Sequence, residues 1–262
     1  MKNLTFTHPI SFLNAIGFCL LSFFLILFPA FLNQIFFKIN FPIEFSIWLN
    51  IPAFLIPSLI ILQKNNINLL SLFNNIKINS INFWLLSLYT SVGFILILGE
   101  IENYILYYFP ISDDIYNLME SLLTSTSGII AASLMAPITE EIFFRGTLLN
   151  GLNLKYLSTK AILLSSFLFG FIHLNPWQFI PAFFGGILFG YLYFISKNIW
   201  ICIFLHFFNN SLAVFMELRD VNIKGVTYDP RIGIEFQPYW LTILGLIIFI
   251  SGISLIYNKF HR

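Results

Sequence analysis

Long apolar runs alternate with short polar connections along the whole chain. A helix crosses the hydrocarbon core of a bilayer with about 20 mostly apolar residues. Eight windows reach that size, at 11–36, 42–63, 82–99, 122–151, 158–174, 177–195, 198–216 and 238–257. The fourth is long enough to tilt or break. The connections are polar: 64–79 is rich in Asn and Lys, 100–120 is acidic, and 217–238 is the longest mixed-charge segment. No internal repeat or low-complexity linker interrupts the series. The pattern predicts an all-α fold, a polytopic transmembrane helical bundle of about eight spans. It divides into 1–120, with three N-terminal spans and an outer loop; 121–216, a core; and 217–262, an outer loop with the last span. Lys2 is the only Lys or Arg ahead of the first run, which continues from Phe12 to Phe37 without a small-residue cleavage pattern. That run is expected to be a retained span rather than a secretory signal.

Composition strengthens this reading. Of 262 residues, 58% are hydrophobic and 10% charged, against about a quarter charged in soluble domains. So large an apolar excess exceeds what one soluble core of this length buries, and the lipid bilayer becomes the expected partner. Net charge is +1 and the basic residues are scattered, so no field recruits nucleic acid. Cys19 and Cys202 sit in apolar runs without CxxC spacing, which points to small buried side chains rather than a disulfide or thiolate metal site. Cytoplasmic segments favour Lys and Arg. With the N-terminus inside, the inner segments hold Lys2, Lys64, Lys77, Lys155, Lys160, Lys197, Lys259 and Arg262, and the outer ones Lys38, Arg219, Lys224 and Arg231. The outer segment 100–120 carries Glu100, Glu102, Asp113, Asp114 and Glu120 with no Lys or Arg. Both termini are therefore expected in the cytoplasm, in a multi-pass cell-membrane protein.

Ionisable groups at membrane depth are costly and persist where they pair or do chemistry. Elsewhere charges, Glu44 and Glu100 among them, fall in loops or near helix ends; spans four to seven instead hold Glu140, Glu141, Arg145, His173 and His206. At about 1.5 Å per residue, Glu140 and His173 lie roughly 20 Å from the nearest inner lysine and His206 about 14 Å, so they can meet near mid-membrane. Glu141 and Arg145 have the i,i+4 spacing and order that favour an ion pair, which gives them a supporting role. Glu140 lies about 100° away round the helix and is left to face another group, as a general base would. Glu140 and a histidine can share a water and move its proton. His206 and Asn210 share a face, and both can donate to a developing oxyanion; a plain helix-helix hydrogen bond is the alternative use of Asn210. Phe169, one turn before His173, can wall the pocket or simply pack. Gly146, Gly170, Gly185, Gly186 and Gly190 suggest close helix approach.

Glu140-Glu141-x-x-x-Arg145, then Phe169-x-x-x-His173, then His206-x-x-x-Asn210 resembles the three-motif signature of the CAAX protease and bacteriocin-processing (CPBP, or Abi) intramembrane proteases. The resemblance covers roughly 120–216. It implies a glutamic-type endopeptidase with its site on spans four, five and seven. Glu140 with His173 would activate water, His206 and Asn210 would stabilise the oxyanion, and Glu141 and Arg145 would hold the motif helix. The implied substrate is a membrane-associated protein or peptide, processed at a CAAX-type end or in bacteriocin maturation or immunity. A short chain heavy in Phe, Ile and Asn favours a bacterial source.

No cofactor is required by this scheme, although Glu140, His173 and His206 would be a workable zinc set. GxSG and HExxH are both absent, which removes serine chemistry of the rhomboid kind and zinc chemistry of that motif. Two other classes stay open at this stage: a proton- or ion-coupled transporter using the same Glu/His cluster, and an inactive scaffold or immunity protein that binds a membrane peptide.

Overall fold

A computed structural model describes residues 5–32, 48–221, 223–227 and 233–260. Its regular structure is a helical bundle: α1 (Phe12–Leu32), α2 (Asn50–Lys64), α3 (Leu69–Asn74), α4 (Ile81–Tyr108), α5 (Asp113–Thr124), α6 (Thr126–Asn153), α7 (Ser158–Phe171), α8 (Pro176–Ser196), α9 (Ile199–Leu218) and α10 (Tyr239–Phe260). Among the described residues six helices, α1, α4, α6, α8, α9 and α10, are long and apolar enough to cross a membrane. The other two expected spans are the shorter α2 and α7. At 14 residues, α7 extends only about 21 Å against a hydrocarbon core of about 30 Å. Residues 42–47 of the second predicted window, together with Lys2, Lys38, Glu44, Arg231 and Arg262, lie outside the described residues.

Two features differ from the sequence expectation. The third span does not end before Glu100; α4 continues to Tyr108 and carries Glu100 and Glu102 within it. The helix can continue because the Glu100 carboxylate is satisfied where it lies, accepting from the Gln237 backbone N–H at 2.8 Å and from Asn103 Nδ2 at 3.1 Å. Most of the remaining acidic segment is α5, an amphipathic helix with no buried residue. The fourth predicted window, 122–151, is interrupted at Ser125, where α5 ends in an extended residue, and α6 then runs unbroken from Thr126 to Asn153. It runs through two π-helical stretches, Ala131–Met135 and Ile142–Leu149, and Pro137, which has no N–H to donate, follows the first.

The centre of the bundle is α6, packed by α2, α7, α8 and α9. Every residue from Ile142 to Leu149 is buried, whereas α1 and α10 turn Leu20, Leu27, Ile247 and Ile250 outward, as lipid-facing helices do. The helices α7 and α8 form an antiparallel hairpin. Their close approach accounts for three of the expected glycines: a Cβ on Gly186 would lie 2.8 Å from Ser166 Cβ, one on Gly190 3.0 Å from Ile162 Cγ2, and one on Gly170 2.8 Å from the Phe179 carbonyl oxygen. Gly146 faces Leu72 and Ile199 as tightly, while Gly185 meets only Phe94 at 3.8 Å. The hairpin turns at Leu174, which takes a left-handed φ of 56°. Asn175 then caps α8 by accepting from Gln178 N–H at 2.8 Å, and Pro176 occupies the first helical position, where its missing N–H costs nothing. Cys19 and Cys202 are both buried thiols.

Candidate active site

Three elements bring the singled-out residues together: α6 with Glu140, Glu141 and Arg145; the end of α7 with Phe169 and His173; and α9 with His206 and Asn210. The π-helical stretch of α6 begins directly after Glu141; such widened turns recur at functional sites because they re-aim side chains.

Glu141 is the hub. Its side chain is completely buried, and Oε1 accepts from Arg145 Nη1 at 2.8 Å and from His206 Nδ1 at 3.0 Å. The i,i+4 pair expected from the spacing is thus present, and it carries a third member from another helix. A carboxylate oxygen can only accept, so Nδ1 of His206 holds a hydrogen. The other ring nitrogen is left facing away from Glu141. That nitrogen, Nε2, lies 4.0 Å from Glu140 Oε2.

Glu140 accepts no hydrogen bond among the described residues, yet its side chain is only 12% exposed. His206 and His173 are both within its electrostatic reach. This is the carboxylate left over by the Glu141–Arg145 pair, and it points to the imidazoles rather than away from them.

His173 is not on a helix, as the predicted span 158–174 would have it. It follows the end of α7 in the hairpin turn, half-buried, with its N–H bonded to the Gly170 carbonyl at 3.1 Å. Its Nδ1 lies 2.9 Å from the Phe169 carbonyl oxygen. Nδ1 must therefore be the donor and Nε2 the lone-pair nitrogen of the neutral ring, the tautomer a base would need.

Phe169 is the wall between these groups. Its ring is edge-on to His173 at 5.5 Å and to His206 at 5.8 Å, and the Arg145 guanidinium carbon lies 4.4 Å from its centroid. Asn210, half-buried one turn beyond His206, donates from Nδ2 to the Ala132 carbonyl oxygen of α6 at 2.9 Å. The helix-helix hydrogen bond raised as its alternative use is thus made; an amide nitrogen carries two hydrogens, so one remains.

Two features escaped sequence reasoning. The Glu141–His206 bond joins positions 65 residues apart, and no local spacing announces it. Phe189 of α8 packs 5.9 Å from the His206 ring and 5.6 Å from Arg145 Cζ. It is one of several phenylalanines on that helix, and nothing in their spacing distinguishes it. Among the described residues no three His, Cys, Asp or Glu side chains gather as a metal-binding group.

Comparison with known proteins points the same way. Residues 122–212 match the family model described as type II CAAX prenyl endopeptidase Rce1-like. The protein named "Putative membrane peptidase YdiL" of Bacillus subtilis (strain 168) is 32% identical over 125 residues. Those residues are 48% of this chain and 51% of that protein, so the chain spans about half the length of this curated relative. No solved structure matches the chain. Glu140, Glu141, Arg145, Phe169, His173, His206 and Asn210 all fall within the matched segment, so the part of this multi-pass membrane chain that carries the candidate site is the part similar to the Rce1-like, type II CAAX prenyl endopeptidase family.

Proposed function

We propose that the chain is a glutamic-type intramembrane endopeptidase that hydrolyses a peptide bond of a membrane-associated protein or peptide, of the CAAX or bacteriocin-related kind. We place it in a bacterial cell membrane with both termini cytoplasmic. The observation that carries the reading is the meeting of Glu140 Oε2 and His206 Nε2 across 4.0 Å from two helices, with His206 held from behind by Glu141.

In this scheme Glu140, assisted by His173 through Nε2, takes a proton from a water held between them. The resulting hydroxide adds to the scissile carbonyl carbon. Charge develops on the carbonyl oxygen, and His206 in its protonated form donates to it from Nε2 while Glu141 supports the charged ring. Asn210 contributes its second amide hydrogen. Glu140 then returns its proton to the departing amine, and the tetrahedral intermediate collapses to a free carboxylate and a new N-terminus. Losing one oxyanion donor costs about 10²–10³ in rate, the effect expected of Asn210→Ala. No step runs through a metal.

The test is the membrane proteome of cells carrying the active enzyme compared with cells carrying Glu140→Ala. New C-termini or released peptides should depend on Glu140, and His173→Ala and His206→Ala should reproduce the loss with the protein still folded and inserted. Full activity of Glu140→Ala would reject the mechanism. Activity should survive exhaustive chelation; loss restored by zinc would instead establish a metalloenzyme.

A further inference from the structure

Phe189 lies on α8, a helix that supplies none of the seven residues above, yet its ring is 6% exposed and packs on both groups that flank Glu141. It lies 5.9 Å from the His206 ring and 5.6 Å from Arg145 Cζ. Phe169 approaches the same two groups at 5.8 Å and 4.4 Å. The guanidinium and the imidazole are thus enclosed by two aromatic rings carried on two different helices. Arg145 has particular need of them. It is 1% exposed, Nη1 donates to Glu141, and Nη2 is buried without a hydrogen-bond partner. Ring faces attract a cation through their quadrupole, and more strongly when water is excluded. The backbone that carries the ring is tied to α9: the Phe189 carbonyl accepts from Cys202 Sγ at 3.3 Å, one turn before His206.

We propose that Phe189 is a positioning residue of the peptidase site, whose ring, together with that of Phe169, holds Arg145 and through it Glu141 and His206 in register with Glu140. The proposal rests on the peptidase reading above. A side chain that merely fills space there would act through its volume; a ring that steadies a cation acts through its electron density. Fluorination separates the two, because it withdraws density from the face of the ring while leaving its size nearly unchanged.

The experiment places mono-, di- and trifluorophenylalanine at position 189 of the full chain in lipid vesicles and follows cleavage of a membrane-tethered reporter peptide that the native protein cuts. The kcat should fall stepwise, by roughly three- to tenfold at trifluorination, the range expected of one desolvated cation–ring contact, with KM unchanged. The melting temperature should fall by no more than a few degrees across the series, since one weakened contact is a small part of the fold's stability. The same series at Phe83, which packs edge-on against Phe260 at 5.1 Å, should be flat. A flat kcat series at 189, or a kcat loss that disappears once activity is normalised to folded protein, overturns the positioning role. Cleavage that persists in Glu140→Ala removes the peptidase reading itself, so the two failures are distinguishable.

Discussion

At the residue scale, Glu140 and Glu141 are neighbours in sequence with opposite structural fates. Glu141 is fully enclosed and tied to a cation and an imidazole, whereas Glu140 has no hydrogen-bond partner among the described residues. Removing one member of a buried ion pair leaves the other charge uncompensated, a cost of about 3–5 kcal/mol. Arg145→Ala is therefore expected to destabilise the protein by about that amount, lowering the melting temperature in vesicles and the yield of inserted protein. Glu140→Ala removes no such partner and should leave the melting temperature within a few degrees of native while activity is lost. Equal thermal losses in the two variants would show that Glu140 holds the fold as Glu141 does. The division of labour was legible in the sequence because the i,i+4 spacing of Glu141 and Arg145 and the 100° offset of Glu140 are properties of one helix. The His206 bond to Glu141 was not, because it depends on how α9 lies across α6, which no spacing within either helix encodes.

At the scale of elements, the site depends on the α7–α8 hairpin, which carries Phe169 and His173 on one arm and Phe189 on the other. Its arms approach so closely that a Cβ on Gly186 would meet Ser166 Cβ at 2.8 Å and Ser166 Cα at 3.0 Å. Backbone does not yield as a flexible side-chain end does. Gly186→Val should part the arms, costing about 1–3 kcal/mol as overpacking does, and should lower cleavage at least tenfold by displacing His173. Gly185→Ala, whose new methyl meets only Phe94 at 3.8 Å, should be tolerated; thermal unfolding and cleavage of both variants check the contrast. Hydropathy located the helices but misplaced their ends for identifiable reasons. Windows stop at charge, so the third span was cut before Glu100, although a bonded carboxylate lets α4 run on to Tyr108. Windows also ignore turns made of apolar residues. Leu174 reads as helix, yet its left-handed backbone ends the arm and places His173 in a turn. The π-helical stretches of α6 leave no signature in composition at all.

The whole molecule has two chemically distinct ends, and its hydrogen bonds show which segments share them. At one end the Asn65 side-chain oxygen accepts from the backbone of Thr7 and His8, Ile10 N–H reaches the Gly151 carbonyl, and Lys77 N–H reaches the Ser196 carbonyl. These contacts gather the segments that carry Lys64, Lys77, Lys155, Lys160 and Lys197. At the other end Glu100 accepts from Gln237, and Asn103 Nδ2 donates to the Gly225 carbonyl at 2.8 Å, joining the acidic end of α4 to the segment after α9. Trp177 Nε1 donates to the Phe109 carbonyl and brings the hairpin turn to that same end. A lysine-rich end opposite an acidic one is what the positive-inside rule turns toward the cytoplasm, so the termini and the loop between α6 and α7 should face inward. The chain suits a direct test, because its only cysteines, Cys19 and Cys202, are buried and should stay silent toward a membrane-impermeant thiol reagent. Lys64, Lys155, Lys224 and Lys259 are all exposed. In intact cells Lys224→Cys should label, while Lys64→Cys, Lys155→Cys and Lys259→Cys should label only after the membrane is opened. The reverse pattern would invert the molecule, placing the hairpin turn and His173 toward the cytoplasm, and a substrate would then have to present its scissile bond from that face.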